Sequence, residues 1–193
     1  MKATKRRTGA GFTLIELMIV VAIVGVLAVL AVYGVQKYVA HAKTAEATNS
    51  VGEMSKDAAA AYEKEGMAGT VMGQKTSSGV ARHLCASATA SVPASATSIQ
   101  GKKYQSTVSD WNKDAAANAG FSCIKFTIDQ PQYYMYSYGA SGTSGNAGDT
   151  YTAQAQGDLN GDGVLSLYTL TGSITSSYVL ITAPNLTVVR PED

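Results

Sequence analysis

Histidine appears twice, cysteine twice, tryptophan once and proline four times in 193 residues, and only 15% of the chain is charged. Each scarcity excludes something. Two cysteines cannot build a zinc-spaced set, and His41 and His83 stand alone, with no His-Glu-x-x-His spacing around either. Gly-x-Ser-x-Gly and phosphate-loop patterns are missing as well, so no catalytic residues emerge and the chain does not read as an enzyme. A formal charge of +1 gives no bulk electrostatic reason to bind nucleic acid. The first proline is Pro93, so no ring breaks a helix in the N-terminal part.

What is present is concentrated at the start. Lys2, Lys5, Arg6 and Arg7 form a basic leader, and Gly11-Phe12-Thr13-Leu14-Ile15-Glu16-Leu17-Met18-Ile19-Val20-Val21 opens an apolar run reaching Val32, with Glu16 its one charge. Twenty-one residues at 1.5 Å each give about 31 Å of helix, enough to cross a bilayer core. A secretory signal places its small cleavage residue after the apolar core, whereas Gly11 precedes it. Cutting there removes the cations and leaves the hydrophobic helix on the mature chain; the alternative is an uncleaved single-pass anchor. The leader cations hold the N-terminus in the cytoplasm and send the rest outward. A carboxylate isolated in lipid is unfavourable by roughly 2.5–3.5 kcal/mol at a helix centre and less near the interface. Glu16 therefore either meets a cation or lies among headgroups, where a helix N-terminus also favours it.

This block resembles the type IV prepilin signature. The resemblance covers residues 1–32 and implies cleavage between Gly11 and Phe12 by a prepilin peptidase, with methylation of the new Phe12 amine. It also implies that Glu16 attracts the amine of an adjacent subunit and sets the axial register of a filament. One departure stands out: where relatives carry a proline after a mid-span glycine, here Gly25, this chain has Tyr33 followed by Gly34. Without proline the backbone keeps its N–H donors and no kink is imposed.

Beyond Tyr33 the helical pattern continues on a new face. Val35, Tyr38, Val39, Ala42, Ala45, Val51, Met54, Ala58 and Tyr62 recur at three- and four-residue steps among charged residues, predicting one helix over 12–65. Residues 66–110 are rich in Gly, Ser, Thr and Ala and read as a long variable loop. Five strands are predicted at 121–128, 132–138, 151–156, 164–170 and 178–182, with Trp111 capping the core ahead of the first. A helix followed by strands argues for an α+β fold with an antiparallel sheet, which is the pilin fold the resemblance implies. The resulting division is leader 1–11, membrane or filament-core helix 12–32, amphipathic continuation 33–65, loop 66–110 and sheet head 111–193. The clustered Tyr133, Tyr134, Tyr136 and Tyr138 read as sheet packing.

Two further features concern the exported part. Cys85 and Cys123 are read as a disulfide in an oxidising periplasm, against the alternative of two buried thiols. In a chain-entropy picture such a bridge contributes at most about 4 kcal/mol. In the loop 158–166, Asp158, Asn160 and Asp162 alternate, then Gly163, Val164 and Ser166 follow, as in the first half of an EF-hand calcium loop. Side-chain oxygens of the first three, the Val164 carbonyl and Ser166 would bind Ca2+ weakly. An EF-hand's bidentate glutamate is replaced by Thr169, and the alternative is a polar β-turn. Asn185-Leu186-Thr187 fits a glycosylation triplet by chance.

The reading is thus a pilin precursor: held in a bacterial inner membrane, polymerising with itself, served by a peptidase, an assembly platform and an ATPase, and displayed in an extracellular pilus for motility, adhesion or DNA uptake. The alternatives are a pseudopilin of a type II secretion system and a membrane-anchored calcium-binding domain that never polymerises.

Overall fold

The computed structural model describes residues 11–64, 66–67 and 80–191. Helix α1, Leu14–Glu63, is continuous over 50 residues. The chain nevertheless divides into two compact units, one ending at Val39 and one beginning at Ala40. In the first unit every described side chain is exposed, from Phe12 at 80% to Val39 at 44%. This is the one helix among the described residues long and apolar enough to span a membrane.

The second unit begins with the rest of α1, whose Ala47, Val51, Met54, Ser55, Ala58 and Tyr62 are buried. Their three- and four-residue steps put them on one stripe, as expected for a helix lying on a sheet. After it come a short pair, β1 (Gly66–Met67) and β2 (Val80–Ala81), then the short helices α2 (Val108–Trp111) and α3 (Gly120–Ile124). The main sheet follows: β3 (Tyr134–Ser141), β4 (Thr150–Gly157), β5 (Ser166–Ile174), β6 (Leu180–Thr182) and β7 (Thr187–Val189). It is antiparallel in the order β3-β4-β5, with β6 and β7 both pairing β5 at different registers.

Period-two burial sorts the strand side chains. Tyr134, Tyr136 and Tyr138 on β3, Tyr151, Ala153 and Ala155 on β4, and Tyr168 on β5 face the core. Large residues oppose small ones across the registers Tyr136↔Ala155 and Ala155↔Tyr168, so tyrosine rings fill the space that alanine leaves. Gly172 is required for the same reason, since a Cβ there would enter the Tyr151 ring. Hydroxyls on this face have partners: Tyr151 Oη lies 2.6 Å from Ser55 Oγ and 2.7 Å from Thr182 Oγ1, and Tyr62 donates to the Tyr178 carbonyl at 2.9 Å. Buried tyrosine thus supplies apolar area without an unsatisfied oxygen at these points.

The free edge of β3 is covered by the segment after β2. Val92 exchanges both backbone hydrogen bonds with Tyr136, Ala88 donates to Tyr138, and the Ser87 hydroxyl serves Ala140. Cys85, bonded to Cys123 with Cα atoms 5.8 Å apart, ties this segment to α3. An open β edge invites pairing with other chains, and here it is masked from within.

The predicted strand 121–128 is not formed. Gly120 and Lys125 adopt positive φ (54° and 64°) at the two ends of α3 instead. Phe121 and Ile124 point to the core at helical spacing, and Trp111 meets Phe121 and Phe126 edge-on at 5.0 and 5.5 Å. The β-prone composition served aromatic packing beside the disulfide, so tertiary contacts overrode propensity. The loop at 66–110 carries short elements, and β7 had no expected counterpart. Residues 1–10 and Glu65 lie outside the described residues.

Candidate assembly and cation sites

The first site is built by the start of α1. Thr13 precedes the first helical residue, and its hydroxyl accepts the Glu16 N–H at 3.3 Å. Glu16 Oε2 in return accepts the Thr13 N–H at 2.9 Å and its hydroxyl at 2.7 Å. This reciprocal pair is a capping box, in which two of the orphan N–H groups of a helix start are satisfied by side chains. Thr-x-x-Glu before an apolar run is the sequence signal for it, a signal the reading of Glu16 as an assembly charge left unused. Gly11 and Phe12 lie immediately before the box, Phe12 exposed. The site thus holds a carboxylate three residues past the cap, with an apolar helix on its other side.

The second site is the loop 158–166, which joins β4 to β5. Asp158 is fully buried and its two oxygens accept the Gly161 and Gly163 N–H groups at 2.6 and 2.9 Å. Asn160 Oδ1 accepts the Asp162 N–H at 2.9 Å, and Asp162 Oδ1 accepts that of Val164 at 2.7 Å. Gly161 and Gly163 take positive φ of 80° and 87°, which closes the tight turn. Ser166 is buried at the head of β5, and its hydroxyl donates to the Gly157 carbonyl at 3.0 Å. Thr169 sits within β5, paired with Gln154 and Thr187, so the loop ends before a twelfth ligand position. A carboxylate has about four acceptor positions, so Asp158 and Asp162 keep lone pairs beyond those given to backbone donors. Among the described residues, no three His, Cys, Asp or Glu side chains gather as a metal cluster.

A third polar feature was not foreseen. Glu46, half-buried on α1, accepts the Tyr133 N–H at 2.9 Å and the Tyr136 hydroxyl at 3.1 Å. Burial pushes its carboxyl above the usual carboxylate range, against the hydrogen bonds from Tyr133 and Tyr136 that lower it. Tyr136 is itself held well above the ordinary phenol range, by burial first and by Glu46 second. The carboxylate clips the helix to the start of β3. His41 and His83 join neither site.

The profile of the prokaryotic N-terminal methylation motif matches residues 6–32. The chain carries a type IV prepilin-like N-terminal motif. No characterised protein and no solved structure matches it. The motif covers both the capping box and the apolar run, and the long helix on an antiparallel sheet is a type IV pilin-like architecture. Proteins of this architecture, pilins and pseudopilins alike, are structural subunits. The prepilin motif implies processing by a prepilin peptidase and assembly in the membrane with pilin subunits. It fits a precursor anchored in the inner membrane by α1.

Proposed function

We propose that this prepilin-like chain is a structural subunit of a type IV pilus, assembled from the inner membrane into an extracellular filament. The observation that carries this reading is the pairing of an all-round exposed apolar helix with one carboxylate, Glu16, at its start. A mere anchor has no use for that carboxylate. The peptidase cuts between Gly11 and Phe12, and Glu16 then meets the methylated Phe12 amine of the adjacent subunit. The long segment 66–110 and the sizeable head favour a pilin over a secretion pseudopilin. Motility, adhesion or DNA uptake would be properties of the filament, driven by the platform and ATPase of such systems.

The test is direct. Filaments sheared from the cell surface should contain this chain starting at Phe12, as read by intact mass. A mature protein that still begins at Met1, or one confined to the cell envelope and found only with secretion components, overturns the pilus reading.

We also infer that the loop 158–166 takes Ca2+ weakly. The alternation of Asp158, Asn160 and Asp162 before Gly163 and the lone pairs left on both carboxylates support it. Asn160, Asp162 and the Val164 carbonyl would complete the donors around Asp158. Ser166 is the weakest member of the set, because its proton is committed to Gly157.

A further inference from the structure

Short connections of the head meet around a hollow of about 460 Å³. Arg82 comes from the segment after β2, Ser144 and Asn146 from the loop between β3 and β4, and Ser177 and Tyr178 from the turn between β5 and β6. Small-ligand sites have this size and sit where loops converge on a rigid scaffold. The frame here is well tied. Gly148 donates to the Ile174 carbonyl at 2.8 Å and Ile174 to that of Asp149 at 2.9 Å, which joins the β3–β4 loop to the end of β5. Gly145, at φ 73°, lies against Arg82 so closely that a Cβ there would enter the Arg82 carbonyl.

Tyr178 is the unusual member of the lining. Its φ of 58° lies in the left-handed region, which a bulky aromatic residue rarely occupies. Asn118 and Lys125 take that conformation as helix C-caps, where it is ordinary. Tyr178 takes it at the end of a hairpin turn, where glycine would be free of strain. Two hydrogen bonds hold it: its N–H donates to the Thr175 carbonyl at 2.9 Å, and its carbonyl accepts the Tyr62 hydroxyl at 2.9 Å. Core packing does not offset the strain, because Tyr178 is 60% exposed. Backbone strain kept at an exposed position of a hollow is a pointer to a ligand, and an exposed ring is an apolar platform with a polar tip.

The groups around the ring select the ligand. Arg82, Asn146, Ser144 and Ser177 offer N–H and O–H donors together with amide and hydroxyl acceptors. Arg82 Nη1 lies 3.4 Å from Glu63 Oε2, so its charge is already matched, and an anion would meet the Glu63 carboxylate as well. A neutral sugar ring fits this combination. The C–H groups on one face of a pyranose carry slight positive charge and lie against the negative face of an aromatic ring, while the hydroxyls at its edge both donate and accept.

We propose that the hollow beside Tyr178 binds a neutral pyranose unit of a saccharide, stacked on the Tyr178 ring and hydrogen-bonded by Asn146 and Arg82. The site lies wholly within the head and goes beyond the reading of the chain as a pilus subunit, since a pilin and a pseudopilin could equally carry it.

The experiment is saturation-transfer difference NMR on the full chain, in a detergent without a sugar headgroup. The probes are the methyl β-glycosides of glucose, galactose and N-acetylglucosamine at millimolar concentration, with methyl β-glucuronide as the charged comparison. At least one neutral glycoside should receive saturation, most strongly at the protons of one ring face. Tyr178→Gly removes the ring and supplies the residue the turn prefers, so its unfolding midpoint should equal or exceed the parent's while binding weakens by roughly tenfold or more. Asn146→Ala should weaken it several-fold. Saturation of none of the three neutral glycosides overturns the proposal; sedimentation of the parent and Tyr178→Gly then shows whether the ring is instead a contact to a second copy. Binding that Tyr178→Gly leaves unchanged overturns it too, by placing the sugar elsewhere. Preference for the glucuronide also overturns it, making Arg82 the core of an anion site.

Discussion

The two halves of α1 are one helix by hydrogen bonding and two different objects by chemistry. Residues 40–63 bury a single stripe, and their stability belongs to the head: Met54 is fully buried, Ser55 hydrogen-bonds to Tyr151 of the sheet, and Tyr62 to the Tyr178 carbonyl in the connection between β5 and β6. Residues 12–39 bury nothing, although they are the most apolar part of the chain. A helix apolar on every side is stable only within lipid or protein. The comparison teaches where assembly energy must come from. Lipid tails are as apolar as leucine, so moving the first half from bilayer to filament gains little from the hydrophobic effect itself. Packing and the one carboxylate, Glu16, must decide between the two surroundings.

The largest expected effect tests that conclusion at Glu16. Glu16→Ala removes the charge and the capping box together, whereas Glu16→Gln keeps a side chain able to complete the box while removing the charge. Both variants should insert normally, since neither adds a lipid-phase charge, and both should abolish filaments. Filament yield by electron microscopy from strains expressing only these variants is the measurement. If Glu16→Gln assembles and Glu16→Ala does not, the carboxylate acts through the Thr13 cap and not through a neighbour's amine.

The same residue type on both halves gives the next comparison. Met54→Ala should destabilise the head by about 2–5 kcal/mol, because the vacated volume is enclosed. Met18→Ala, at a position 63% exposed, should leave the head's unfolding midpoint in detergent unchanged. Equal losses for the two would mean that the halves unfold as one cooperative body.

Glu46 sharpens the boundary between them. Burial raises its pKa in the fold, so the folded chain binds that proton more tightly than the unfolded chain does. Its contribution is fully present below the unfolded value and is lost as pH rises through the folded one. Melting temperature should therefore show a decline over that window which Glu46→Gln removes, and at neutral pH the variant should be at least as stable as the parent. A glutamine still accepts from Tyr133 and Tyr136 without a charge to desolvate. A lower midpoint for Glu46→Gln at neutral pH would show that the charge-assisted bonds outweigh the burial.

These particulars also mark how far the sequence could be read. Helix α1 was legible because three- and four-residue spacing persists without a proline to interrupt it. The strands carrying Tyr134, Tyr151 and Tyr168 were legible through β-branched and aromatic residues between turn formers. Phe121–Ile124 was misread because its composition suits a strand, while its conformation is set by Trp111, the disulfide and two left-handed residues at its ends. Glu46 stayed hidden because its partners, Tyr133 and Tyr136, lie far along the chain, and no local pattern signals a carboxylate shared with a distant strand. At the N-terminus the motif was plain, yet the capping role of Glu16 was overshadowed by its role in the resemblance.

The smallest expected effect is that of calcium on the loop 158–166. Ca2+ prefers six to eight oxygens, and this loop offers two carboxylates, one amide oxygen and one backbone carbonyl, with water to complete the shell. Backbone donors already hold the turn shut through Asp158, so the ion would add to a formed loop and not create it. At ten times its Kd a ligand stabilises by about 1.4 kcal/mol, which in a chain of this size raises the midpoint by roughly 3–6 °C. Asp162→Ala removes one carboxylate and the acceptor of the Val164 N–H, so it should lower the midpoint slightly and erase the response. Asp158→Ala should do more harm, since it orphans two N–H groups around a buried position, and it would not separate folding from binding. Thermal unfolding of the full chain in detergent, titrated with calcium against magnesium, reads the difference. No shift at millimolar calcium, with Asp162→Ala differing from the parent only by its lost hydrogen bond, would leave the loop a β-turn closed by its own aspartates.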